Sequence, residues 1–154
     1  MTAWPNADRT GQALRRELQA TDIRFHTECD TEVILRLYQR DGIDAFTRLR
    51  GMFAIAIWDP KRQEMVLARD PFGIKPLYLA DDGKTIRVAS SARALSERPE
   101  VDSHISAAGA VGFHLLGSVP DPFTIWQGVT ALPAGTSMVV GRNGASTPRK
   151  FFDL

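Results

Sequence analysis

The sequence predicts an α+β domain, on three observations. Gly51–Trp58 is a near-continuous apolar run of strand length. It is followed by the polar turn Asp59-Pro60-Lys61-Arg62-Gln63 and a second apolar run, Glu64 to Ala68, which together predict an antiparallel hairpin. A second pair, Leu77 to Ala80 and Ile86 to Ala89, flanks Asp81-Asp82-Gly83-Lys84, whose Asp-Gly favours a tight turn. Apart from these hairpins, Val33, Ile34, Leu37 and Tyr38 recur at helical spacing. Strands in antiparallel pairs with helices grouped around them give α+β.

Taken in order, residues 1–9 are polar, contain Pro5 and show no periodicity, so they are expected to form a loose arm, with the domain running over 10–154. Gln12 to Ala20 predicts a short helix with Ala13, Leu14 and Leu18 on its apolar side. Ile23-Arg24-Phe25-His26-Thr27 alternates at a period of two and predicts a half-buried strand. Asp30 is expected to cap the next helix, with Glu32 in its first turn and Gly42 at its end. Ile43, Phe46 and Leu49 recur every third residue, which fits a second short helix. The unbroken apolarity of Gly51–Trp58 predicts a strand buried on both faces, with Phe53 and Trp58 in the core. Ala92 to Ser96 is expected to give one helical turn and Ile105 to Leu116 a helix that carries Phe113 in the core and His114 as a core or boundary histidine. Gly109 and Gly112 each cost that helix up to about 1 kcal/mol relative to Ala. Thr136 to Val140 predicts a strand, and Asn143-Gly144 a turn into a last strand near Lys150 to Phe152.

At 154 residues the chain can bury roughly 70% of its unfolded surface. A formal net charge of +1 offers no general attraction for nucleic acid or for an anionic membrane. The single cysteine, Cys29, cannot form an internal disulfide, and three scattered histidines give no zinc spacing, so a reducing cytoplasm is expected. No apolar run approaches the roughly 20 residues of a membrane span.

Ordered motifs carry a more specific signal. Cys29-Asp30-Thr31-Glu32-Val33-Ile34-Leu35, Arg50-Gly51-Met52-Phe53-Ala54 through Trp58-Asp59, and Leu67-Ala68-Arg69-Asp70 with Gly73-Ile74-Lys75-Pro76-Leu77-Tyr78 follow one another. Then come Val119-Pro120-Asp121-Pro122, Leu132-Pro133-Ala134-Gly135 and Phe151-Phe152-Asp153-Leu154. This series resembles the class II (N-terminal nucleophile) glutamine amidotransferase domain of glutamine-hydrolysing asparagine synthetases. The resemblance implies a four-layer αββα sandwich, truncated at its N-terminus. It implies L-glutamine as the substrate of an intact relative, with ammonia passed to a synthetase domain or subunit. ATP and Mg²⁺ are implied for that synthetase domain alone, and no cofactor or metal for this chain. Two alternatives stand beside it: a degenerate, non-catalytic module that binds a partner, or a fragment of another class II amidotransferase, such as the phosphoribosylamine-forming or glucosamine-forming enzymes.

In the family the nucleophile is an amino-terminal cysteine whose own α-amino group is the base, and this sequence opens Met1-Thr2. No catalytic residue is therefore assigned, and the chain alone is expected to be inactive. Asp30 matches the aspartate that holds the substrate's α-amino group. The family's Asn-Gly-Glu loop falls on Pro5-Asn6-Ala7, or on Asn6-Ala7-Asp8 with a one-residue deletion, which makes Asn6 the second substrate-binding candidate. Cys29 stands where the family has serine, with no histidine partner evident. Thr2 is followed by Ala3-Trp4-Pro5 rather than by a strand. Neither is expected to act as nucleophile. Arg69, Asp70 and Lys75 around Gly73 are expected to form a turn stapled by an Arg–Asp pair. Trp126 is expected to face a synthetase domain, and an exposed sheet edge to support homo-oligomers.

Overall fold

The structure, a computed structural model, describes residues 7–153. Thirteen residues of good helix-forming composition make α1, Ala7–Gln19, which begins five residues before the position that the apolar spacing marks. Of the expected arm, Ala7 to Arg9 are therefore helical, while Asn6 lies outside the described residues. The next helix, α2, spans Asp30–Asp41 and ends at Gly42, whose φ of 63° suits a residue without Cβ. A 3-10 helix, Gly42–Arg48, follows. Its three-residue turn accounts for the recurrence of Ile43, Phe46 and Leu49. Leu14, Leu18, Val33, Leu37, Tyr38 and Phe46 are buried together here, with the Tyr38 and Phe46 rings stacked at 6.5 Å. Each such side chain contributes about 1.5–3 kcal/mol relative to exposure.

Ile23 to Thr27 is not a strand: it runs without a ladder partner among the described residues. Alternation alone cannot make a strand when no neighbouring backbone is present to pair with it. The segment is held instead at Ile23, whose N–H donates to the Leu18 carbonyl, and at His26 and Thr27, whose N–H groups donate to Glu32.

The chain divides between Met52 and Phe53 into two compact units. The second holds both sheets. In the larger, β1 (Ala54–Asp59), β2 (Glu64–Arg69) and β6 (Thr136–Gly141) are antiparallel neighbours, and the short β7 (Gly144–Ala145) and β8 (Arg149–Lys150) both pair with β6. In the smaller, β3 (Tyr78–Asp81) lies between β4 (Ile86–Ala89) and β5 (Thr130–Ala131). The sheets meet face to face through Leu67, Met65 and Met138 on one side and Leu79, Ile86 and Val88 on the other. Strand alternation turns Tyr78 and Ala80 to the opposite side of β3. There they pack with Leu95, Val101, Val129 and the half-buried Trp126 beside α3, Ala92–Ser96. Trp126 is thus half-buried against this cluster.

Three core expectations fail for identifiable reasons. β1 is covered on its Ile55 face alone, so Ala54, Ala56 and Trp58 on the other face are exposed, Trp58 at 58%. Phe53 is half-buried, stacked on Phe151 at 6.2 Å. The last helix, α4 (Ala107–Leu116), packs through its glycines: a Cβ on Gly109 would stand 2.1 Å from the Thr124 carbonyl oxygen, and one on Gly112 would stand 2.4 Å from Pro120 Cδ. That glycine face takes the contact with the 120–125 segment and leaves Phe113, His114, Leu115 and Leu116 exposed.

Candidate functional site

Two carboxylates at the head of α2 occupy very different surroundings. The N-cap is Cys29, not Asp30, and no side chain caps the first turn directly. Cys29 and Glu32 stand at the spacing of a capping box, and Glu32 reaches back past the cap. Its carboxylate accepts from His26 N–H at 3.0 Å, Thr27 N–H at 2.7 Å and the Thr27 hydroxyl at 2.7 Å, with Arg36 at 3.4 Å. The His26 N–H bond leads the interactions that hold its pKa down to about 2. Glu32 is therefore the organiser of the loop that delivers Cys29 and Asp30. Sequence reading placed Glu32 only as a first-turn acid; its spacing of three from Cys29 is the signal that could have found this role.

Asp30, one residue into the helix, is exposed and has no hydrogen-bond partner among the described residues. Its carboxylate lies against Gly11 of α1, where a Cβ would come within 2.8 Å of Asp30 Oδ1. Gly11 thus sets the room in which this acid group sits. Arg15, one turn further along α1, lies 4.3 Å over the Phe25 ring and donates to the Cys29 carbonyl at 3.4 Å. The Cys29 sulfur lies 3.4 Å from the Thr31 hydroxyl, and a hydrogen bond from that hydroxyl to the thiolate is the first of the causes that lower its pKa. No imidazole is hydrogen-bonded to the thiol among the described residues. Glu17 accepts from Arg48 and Arg40, and the Arg48 bond chiefly holds its carboxyl down to about 2, tying α1 to the elements that follow it.

In the second unit, Arg69 and Asp70 do not pair with each other. Asp70 is fully buried and accepts from the backbone N–H groups of Phe72, Ile74 and Lys75 at 3.1, 3.0 and 2.9 Å. Arg69 takes the complementary part: its guanidinium donates to the carbonyls of Gly73, Lys75 and Leu132 at 2.8, 3.0 and 2.7 Å and meets Asp121 at 2.6 Å. One residue gathers the donors of the 71–75 loop and the other its acceptors. Gly73, at φ 62° and with Arg69 Nη2 where a Cβ would come within 3.0 Å, lets the loop close. The rigid loop presents Phe72, Ile74 and Lys75 to solvent. Asp121 is the partner that sequence reasoning missed, since it lies 52 residues from Arg69. Among the described residues no three His, Cys, Asp or Glu side chains come together to hold a metal ion, and no helix is long and apolar enough to cross a membrane.

Comparison with known proteins matches residues 11–152 to the family described as "Glutamine amidotransferase domain". The putative glutamine-hydrolysing asparagine synthetase of Mycobacterium tuberculosis (strain ATCC 25618 / H37Rv) is 40% identical over 114 residues, covering 72% of this chain and 18% of that protein. Glutamine-hydrolysing asparagine synthetase 1 of Bacillus subtilis (strain 168) is 34% identical over 139 residues, covering 90% and 22%. Asparagine synthetase B of Escherichia coli (strain K12) is 42% identical over 85 residues, covering 54% and 15%. The chain thus spans about a fifth of the length of these relatives. Among solved structures, the glutamine phosphoribosylpyrophosphate amidotransferase from B. subtilis complexed with ADP and GMP superposes with a TM-score of 0.63 at 22% identity, over 94% of this chain and 27% of that one. That likeness gives the fold, the α+β sandwich of N-terminal nucleophile hydrolases. With the family match running from Gly11 to Phe152, across the α2 head, both sheets and the Arg69–Asp70 loop, the chain belongs to the glutamine amidotransferase domain family.

Proposed function

We propose that this chain is the glutaminase-type domain of an asparagine synthetase-like protein, in which Asp30 holds the α-ammonium group of L-glutamine. The observation that carries the reading is the Asp30 carboxylate, exposed beside Gly11 and without a protein partner among the described residues. An ammonium group supplies the charge-assisted donors this acceptor lacks. Asn6 is a second contact to the substrate in the same reading. Release of ammonia from the glutamine side chain needs a nucleophile with a base beside it. Cys29 is not assigned that role: among the described residues no imidazole is hydrogen-bonded to its thiol to serve as the base. The 154 residues by themselves are therefore expected to bind glutamine without hydrolysing it. Activation of an acceptor with ATP and Mg²⁺ belongs to a synthetase partner, and no step of it is assigned to these residues.

The test is a glutamine titration of the chain followed by amide NMR, with ammonia release measured in parallel. Shifts around residues 29–32 that vanish in Asp30→Asn support the reading. Gly11→Ala, whose added methyl displaces the carboxylate, should weaken binding while leaving the fold intact. Ammonia release that disappears in Cys29→Ala would overturn the assignment of Cys29, and glutamine shifts unchanged in Asp30→Asn would overturn that of Asp30.

A further inference from the structure

A concave site lies in the first unit, between the 22–26 segment and α2. It is a cleft of about 530 Å³ lined by Asp22, Ile23, Arg24, His26, Arg36, Gln39 and Arg40. Its lining is rich in hydrogen-bond donors. Arg24 is exposed and makes no hydrogen bond or ion pair among the described residues. Arg36 is only partly satisfied: it donates to Gln39 Oε1 at 3.1 Å and to Glu32 at a long 3.4 Å, while its Nε–H is covered and has no acceptor. The Glu32 carboxylate takes its short hydrogen bonds from the backbone of His26 and Thr27, and its contact with Arg36 is the longest it makes. Because Gln39 accepts through its oxygen, its amide N–H₂ remains a donor. Arg40, in contrast, is held by Glu17 and Asp41. Asp22 is the single acid among the lining residues.

We infer that this cleft binds a small phosphate-class dianion through Arg24 and Arg36. A guanidinium presents its donors as a planar fork, and two forks with an amide between them can satisfy several oxygens of a tetrahedral dianion at once. A lone carboxylate would leave part of that donor set unused. Burying an Arg Nε–H without an acceptor is costly unless a bound partner lets the side chain reset. The cleft involves neither Asp30 nor the 71–75 loop, so it is separate from the proposed glutamine contact.

The experiment is an amide NMR or calorimetric titration of the full chain with inorganic phosphate, at constant ionic strength balanced with chloride. Parallel titrations use AMP and acetate. Saturable binding of phosphate or of AMP, with shifts confined to residues 22–26 and 36–40, supports the site, and the stronger of the two tells a free phosphate from a phosphate ester. Arg24→Ala removes an exposed, unpartnered side chain and should weaken binding by roughly tenfold or more. Arg36→Lys keeps the charge but loses the fork, and should weaken it as well. Lys61→Ala, on the β1–β2 turn, should leave it unchanged. The inference fails if phosphate and AMP give no saturation beyond chloride, if acetate binds as tightly as phosphate, or if Arg24→Ala binds like the parent chain.

Discussion

Asp70 offers the sharpest test of how this fold is held. Its carboxylate is fully buried and is the acceptor for three backbone N–H groups at 2.9–3.1 Å, so truncation leaves three donors in or near the core without a partner. A hydrogen bond to a charged group contributes about 1.5–3 kcal/mol, and an unsatisfied buried donor costs about 1–3 kcal/mol. The three bonds share one carboxylate and the loop can relax toward water, so the contributions do not add in full. Asp70→Ala is expected to cost about 3–5 kcal/mol, a large effect for one substitution. Asp70→Asn keeps the shape and one acceptor but turns an N–H₂ toward a backbone donor, and is expected to cost about 2–4 kcal/mol. Urea unfolding of the three proteins, read at constant m-value, gives these differences directly. A loss below about 1 kcal/mol for Asp70→Ala would refute the claim that this carboxylate organises the loop.

Further outcomes follow from other contacts. Glu17 and Glu32 are both held near pKa 2 against an ordinary value of 4.5, so the stability they provide is present in full above pH 4.5 and is lost as pH falls toward 2. Urea unfolding followed by circular dichroism at a series of pH values should show stability falling across that window, and Glu17→Gln or Glu32→Gln should flatten the dependence there. Gly109→Ala would set a Cβ 2.1 Å from the Thr124 carbonyl oxygen, a backbone atom that cannot swing aside, so a loss of about 2–4 kcal/mol is expected despite the better helix propensity of Ala. A neutral thermal shift for that variant would contradict the packing of α4. Among the described residues β1 pairs only with β2, so its other backbone edge has no partner there, and Ala54, Ala56 and Trp58 lie on its exposed face. Concentration-dependent self-association through that edge is expected in sedimentation experiments, and Ala56→Lys should suppress it.

What the sequence made legible was local. Both hairpins, the 3-10 period of Ile43, Phe46 and Leu49, and the helix stop at Gly42 depend on neighbours within a few residues, and each stands where it was expected. What it concealed was which side of an element finds a partner. The run Gly51–Trp58 reads as buried on both faces, yet only the Ile55 face of β1 is covered. Phe113 reads as core because its neighbours are apolar, but α4 meets the rest of its unit through Gly109 and Gly112. Ile23 to Thr27 alternates like a strand and has no ladder to join. Arg69 and Asp70 are adjacent on an extended chain, so their side chains leave on opposite sides. Their partners had to come from elsewhere, and Asp121 and Leu132 are too distant in sequence for any spacing argument to reach.

Asp30 and Glu32 show why a motif alone does not assign roles within it. Both are acidic, both lie in the first turn of α2, and the helix dipole favours both alike. Their hydrogen bonds separate them: Glu32 has its oxygens committed to His26, Thr27 and Arg36, whereas Asp30 has no partner among the described residues and rests on a glycine. A carboxylate engaged by the backbone serves the fold, and one left open can serve a ligand. Asp30→Asn should therefore lose at most about 0.3–1 kcal/mol, the contribution of a charge at a helix start, while abolishing the glutamine-dependent shifts. Glu32→Gln should lower stability measurably and leave those shifts in place once the loop is folded. The reverse pattern, a destabilised Asp30→Asn beside an unaffected Glu32→Gln, would show that the division of labour between the two carboxylates runs the other way.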